Sequence, residues 1–248
     1  MRYFLKLAYD GTPYHGWQRQ PNASSVQETI ERALSTMMQR DVEIVGAGRT
    51  DTGVHARTMF AHFDCDPIEN KGKFLQSLNR LCGHGIAIKE VLDVIPEAHA
   101  RFDAKSRTYQ YHIVGEKDPF QRDYAWEIGR MPDHEKMNEA AALLLETEDF
   151  TSFAKLHSDA KTNICDVTHA RWEKTGAHGL VFTITADRFL RNMVRAVVGT
   201  LLEVGNGKIS INEFQEIIEK KNRCDAGVSV PAKGLFLTDI VYSPEIFI

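Results

Sequence analysis

The sequence predicts an α+β fold: two similar halves around a central mixed or antiparallel sheet, flanked by helices, with the active cleft between the halves. Three observations carry this. Strand-like runs follow one another along the chain instead of alternating strictly with helices, which disfavours a doubly wound parallel sheet. Each half shows the same kinds of element without readable sequence identity. No Pro-, Gly- or Ser-rich linker separates them, so the expected halves, residues 1–103 and 104–248, meet near residues 100–106.

The elements follow in order. "YFLKLAY" (3–9) is rich in β-formers and ends at the turn-forming "DGTPYHG". Ser25, with Glu28 three residues on, has the pattern of a capping box, and Val26, Ile30, Ala33, Leu34 and Met37 recur at helical spacing. "VEIVGAG" (42–48) and "TMFAHFD" (58–64) read as strands bracketing a loop, "NKGKFLQSLNRLC" (70–82) as an amphipathic helix, and "GIAIKEVLDVI" (85–95) as a strand. In the second half, strands are expected at 108–114, 167–174, 180–186 and 234–242, and helices at 134–147, from Arg188 onward, and at 211–220.

Composition excludes several classes. Thirty basic against 34 acidic residues give a net charge of -4, so any nucleic-acid site must be a local cluster. The first ten residues reach Asp10 before a signal-peptide core forms, and the longest apolar stretch is interrupted by Gly199 and Glu203, so a cytoplasmic protein with no membrane contact is expected. The four cysteines are far apart with no C-x-x-C, and the histidines show no ligand spacing, so no metal is expected.

The chemistry concentrates in a few segments. "GRTDTGVHA" (48–56) places Asp51 between Arg49 and His55. An acid protease shows D-T-G but needs two such aspartates sharing a proton, and this chain has only one copy. Asp51 is therefore half of a dimer-borne dyad, a solitary charged nucleophile or base, or an Asx-turn residue that caps backbone N–H groups. A helix starting at Arg188 would gather Arg188, Arg191 and Arg195 on one face, suited either to solvent or to phosphate contacts. "HARFDAKSRTYQY" (99–111) supplies Arg101, Lys105 and Arg107, with Tyr109 and Tyr111 on one strand face. These are groups for stacking on an unpaired base or, equally, for a half-buried sheet. In the loop "GWQRQ" (16–20), Gln18 and Arg19 can bond phosphates or base edges.

In order, "YDGTPYHGWQRQ", "SVQE", "GRTDTGVHA", "HARFDAKSRTYQYHI", "DFTSFAK", "FLRNMVRAVVGTLLEVG" and "PAKGLFL" resemble the tRNA pseudouridine synthase A family over essentially the whole chain. The resemblance implies isomerisation of uridine to pseudouridine at positions 38, 39 and 40 in the tRNA anticodon stem-loop, by a homodimer that uses neither metal nor organic cofactor. It makes Asp51 the catalytic aspartate, Arg195 its basic partner and Tyr109 the tyrosine packed on the target base. Arg49 becomes the residue that helps displace the target nucleotide, and Leu235 an apolar wall of the uracil pocket. Thr52 stands where the family often has alanine or lysine, and its hydroxyl is expected to be able to reach the Asp51 carboxylate. A homodimeric aspartic protease and a non-catalytic RNA-binding module are the alternatives.

Overall fold

The computed structural model describes residues 1–156 and 161–248. Its described part divides into one unit of Met1–Lys105 with Leu237–Ile248 and another of Ser106–Phe236. The C-terminal strand thus returns to the first unit.

In the first unit, β1 (Arg2–Tyr9) lies between β3 (His55–Asp64) and β4 (Ile86–Asp93), antiparallel to both. The short β2 (Val45–Gly46) pairs with β3, and β9 (Leu235–Tyr242) follows β3 in the strand order. Alternation along β1 assigns the two faces of the sheet. Tyr3 and its partner Phe63 point to one face, where Phe63 stacks on Phe74 of α2 (Lys71–Cys82). Phe4 and Phe60 point to the other, where the Tyr242 ring meets both edge-on at 5.4 and 5.1 Å and its hydroxyl donates to Ala100 O. The chain end covers that second face: Phe247 meets Phe4 edge-on, and Ile248 N–H donates to Asp93 O.

Helix α1 (Val26–Met38) begins as the spacing predicts, with Ser25 Oγ accepting from Glu28 N–H and Val26, Ile30, Ala33 and Leu34 buried. The reciprocal half of the expected capping box is not formed; the Glu28 carboxylate lies 4.0 Å from Arg19 instead. The strand expected over 42–48 shrinks to Val45–Gly46 because side chains of α1 take its backbone donors. Val42 N–H donates to Ser35 Oγ, and Ile44 N–H to the buried carboxylate of Glu31.

In the second unit, β5 (Ala104–Val114) pairs antiparallel with β8 (Gly179–Ala186), and β8 with β7 (Val167–Thr175). The two-residue β6 (Trp126–Glu127) adds to β5 in parallel, which makes the sheet mixed. Helix α3 (His134–Ala142) is tied to β7 through Asn138, whose side chain bonds both the N–H and the C=O of Trp172. Helix α5 (Ile211–Lys220) carries a complete capping box between Ser210 and Glu213.

Helix α4 corrects the sequence reading. It runs Met193–Gly205, not from Arg188, because Asn192 adopts a left-handed conformation (φ 66°) and the Asp187 carboxylate takes the N–H groups of Arg188 and Asp166. Arg188 and Arg191 therefore lie in the preceding loop, and no three-arginine helical stripe exists. The helix is buried nearly all round, from Met193 to Val204, with Arg195 half-buried in its first turn. Strands and helices in both units give the α+β class with a mixed sheet. Among the described residues, no helix is long and apolar enough to cross a membrane.

Candidate active site

Asp51 opens a four-residue turn. Val54 N–H donates to Asp51 O at 3.1 Å, and Gly53, third in the turn, takes φ 76°, a conformation that favours glycine. The glycine of D-T-G is thus required by backbone geometry. The loop is clamped from outside by the segment after β1: Trp17 N–H donates to Thr50 O, Gly53 N–H donates to Tyr14 O, and Tyr9 Oη lies 2.8 Å from Thr50 Oγ1. Gly16 approaches so closely, at φ 87°, that a Cβ there would fall 2.4 Å from Thr50 O. Buried Trp17, beside Tyr9, backs this clamp, and His55 is buried with Nδ1 accepting from Gly11 N–H at 3.0 Å. Asp10 Oδ1 lies 3.2 Å from the same nitrogen. A lone pair that accepts from Gly11 leaves no proton there for Asp10, so we read His55 as an anchor for the 10–17 segment and not as one half of an ion pair.

An Asx turn at Asp51 would use the N–H groups of Gly53 and Val54, and both donate to backbone carbonyls instead, those of Tyr14 and Asp51. The two N–H groups of the turn are thus satisfied by backbone acceptors. Arg49 is exposed and makes no hydrogen bond or ion pair among the described residues, so it is not a counter-ion to Asp51. Thr52 is exposed, and its hydroxyl makes none either, contrary to the expectation that it bonds the Asp51 carboxylate.

In the second unit, Tyr111, Arg195 and Leu235 are organised around residues 226–235, and Tyr109 lies two residues before Tyr111 on β5. Tyr109 and Tyr111 share a face of β5 but differ in role. Tyr111 is fully buried, its hydroxyl donates to Pro231 O at 2.8 Å, and burial pushes its pKa far above the ordinary tyrosine range, with Arg195 pulling the other way. Tyr109 is half-buried, its ring edge-on to Phe189 at 5.1 Å. Arg195 is held by the residue before Pro231: its Nε donates to Val230 O at 2.7 Å, and its own carbonyl accepts from Val230 N–H. A short helical turn, Ala232–Gly234, then delivers Leu235, which is buried at the start of β9.

The remaining basic candidates are scattered. Arg107 Nη1 donates to Asp187 O and braces the loop before α4. Arg188 Nη1 reaches Thr162 O at 3.4 Å, and Arg191 is exposed, with its carbonyl accepting from Lys155 N–H. Gln18 is exposed, and the exposed Arg19 lies 3.9–4.0 Å from Glu31 and Glu28, distances at which a guanidinium is held only weakly. Two features carry no local sequence signal. One is Ser229, whose hydroxyl gathers Asn192 and Arg223. The other is Phe102, 73% exposed although its ring rests on His99 at 4.2 Å. All four thiols are free, with only Cys224 exposed.

The chain matches the family model described as tRNA pseudouridine synthase over residues 7–103 and 140–243, which include the Asp51 turn and α4. It is 55% identical to the tRNA pseudouridine synthase A of Bacteroides fragilis, an alignment covering 99% of this chain and 98% of that one. It is also 55% identical to the protein of the same name from Bacteroides thetaiotaomicron, over 99% and 92%. With the one from Porphyromonas gingivalis it shares 53%, over 100% and 99%. Similarity of this extent, covering the clamped Asp51 turn and the Arg195 helix alike, shows that the chain belongs to the tRNA pseudouridine synthase family, isomerases that act on uridine in tRNA.

Proposed function

We propose that the protein converts uridine to pseudouridine at positions 38, 39 and 40 of the tRNA anticodon stem-loop, with Asp51 as nucleophile, as a cytoplasmic homodimer that needs neither metal nor organic cofactor. The observation that carries the reading is the Asp51 turn, in which every N–H a capping carboxylate would use is already bonded to a backbone carbonyl. A carboxylate held on a clamped backbone suits attack on a positioned substrate.

The reaction balances without a co-reactant. The C1'–N1 bond breaks, a C1'–C5 bond forms, C5 gives up its proton and N1 gains one. It needs a target base turned out of its stack, a nucleophile or base at the sugar or ring, and exclusion of water from the detached uracil. Asp51 supplies the carboxylate; its point of attack is C6, C1' or, by way of a proton, the ribose. Arg195 is its basic partner, Tyr109 packs on the base and is the candidate to take the C5 proton, and Leu235 lines the uracil pocket. Arg49, which has no partner to break among the described residues, displaces the target nucleotide. Arg19, Gln18, Arg107, Arg188 and Arg191 contact the RNA backbone.

The test is tritium release from 5-tritiated uridine in stem-loops that carry uridine at one of the three positions at a time. Asp51→Asn is expected to abolish release while RNA binding persists. Full turnover by that variant would end the assignment, and binding without release by the wild type would favour an RNA-binding module. Peptide hydrolysis with an acid optimum and no dependence on RNA would favour the protease.

A further inference from the structure

We infer that Ser229, held between Asn192 and Arg223, is a positioning residue for Arg195; this rests on Arg195 being the partner of Asp51. Arg223 donates through Nη1 to Ala226 O (3.2 Å) and Gly227 O (3.1 Å), and through Nη2 to Ser229 Oγ (2.9 Å), so one guanidinium folds residues 226–229 around itself. Asn192 Nδ2 donates to the same Ser229 Oγ at 2.6 Å. Asn192 is the residue at which α4 starts, one helical turn before Arg195. The segment is also tied further along the helix, where Gly227 N–H donates to Thr200 Oγ1.

Ser229 Oγ therefore joins the end of the folded segment to the helical turn that carries Arg195, and the next residue, Val230, is the one that holds Arg195. The bond from Arg195 Nε to Val230 O fixes the plane of the guanidinium, because rotation about its last bonds breaks that contact. The two Nη groups then have set directions. Without the Ser229 bonds, Val230 keeps its N–H bond to Arg195 O, but the peptide can tilt about it, so that Val230 O shifts and the guanidinium plane shifts with it. Nothing in this chain of contacts requires Ser229 to touch RNA.

Single-turnover tritium release and equilibrium binding of the same stem-loop separate positioning from simple structural support. Ser229→Ala is expected to slow release about tenfold, with Kd within about twofold of wild type, since misplacing a catalytic group costs rate more than affinity. Ser229→Thr keeps the hydroxyl and should recover most of the rate. Arg195→Lys has no Nε–H to dock on Val230 O, so adding Ser229→Ala to it should cost nothing further. Arg223→Gln, which removes the fork from the other side, should repeat the pattern and replaces Ser229→Ala if that variant fails to fold. A wild-type rate in both Ser229→Ala and Arg223→Gln, a loss confined to Kd, or a full additional loss in the Arg195→Lys background overturns the inference. Arg195→Met separates the two readings. If it keeps full turnover, the role of Arg195 itself fails; if it is inactive while the Ser229 loss is additive, only the positioning role fails.

Discussion

Replacing Gly16 with alanine tests whether the clamp on the Asp51 turn sets the rate. An alanine Cβ would sit 2.4 Å from Thr50 O, while ordinary contact begins at 3.4 Å, so the Thr50–Asp51 peptide has to move by about 1 Å or Gly16 has to leave its left-handed conformation. Either route loosens the Trp17 N–H to Thr50 O bond, because Trp17 follows directly. The backbone term alone costs about 1–2 kcal/mol, which for a chain of this size lowers Tm by about 2–8 °C. A displacement of about 1 Å at a catalytic group costs about a hundredfold in rate. Gly16→Ala should therefore slow single-turnover release about a hundredfold in protein still fully folded at the assay temperature, with stem-loop Kd changed by less than about threefold. Gly129→Ala, where a Cβ meets nothing within 4 Å, is the comparator and should match wild type. A Gly16→Ala enzyme that is thermally weakened yet turns over within threefold of wild type would refute the argument, because the Asp51 position would then tolerate the shift.

Arg195→Met should lose turnover more than affinity, since its proposed partner is Asp51 and not a phosphate; normal turnover with a shallower salt dependence of binding would place it on the RNA backbone instead. Arg188→Gln with Arg191→Gln should weaken stem-loop binding and reduce the slope of log K against log salt by about 1–2, with single-turnover rate at saturating enzyme unchanged. Burial, helped by the nearby Arg2, lowers the pKa of His62 to about 4 from 6.5. The unfolded chain therefore takes up this proton first, and the contribution to stability, intact above pH 6.5, declines as the pH falls toward 4. Between pH 7 and pH 5 the loss is about 1–2 kcal/mol, and urea unfolding of His62→Gln should show a correspondingly smaller difference between those two values.

The elements legible in the sequence are those whose signals are local. Ser25 and Ser210 start α1 and α5 with side chains three residues from their partners, and β1 shows its alternation directly. What the periodicity missed was decided from a distance. The residues before Met193 have helical spacing, but Arg188 N–H goes to the Asp187 carboxylate and Asn192 takes a left-handed conformation, while in 42–48 Val42 and Ile44 give their donors to Ser35 and Glu31. The candidate site divides in the same way. Asp51, Tyr109, Arg195 and Leu235 could be named from their motifs, whereas Ser229 could not, because Asn192 lies 37 residues away and no spacing rule connects them.

D-T-G shows how residue type and backbone role separate. In an acid protease the tripeptide is read as half of a proton-sharing pair, which requires the partner carboxylate to lie beside it. Here the glycine is accounted for by φ 76° in the turn, and the threonine is exposed with no bond to the aspartate. Neither of the two neighbours therefore points to a dyad. The backbone role lies in the clamp: Gly16, Trp17 and Tyr14 hold the turn by its own carbonyls and N–H groups. A dyad needs a second carboxyl held beside the first, whereas a solitary nucleophile needs only its own backbone fixed. Fixation from the 10–17 segment is a property that D-T-G alone does not encode, and it is the property Gly16→Ala removes.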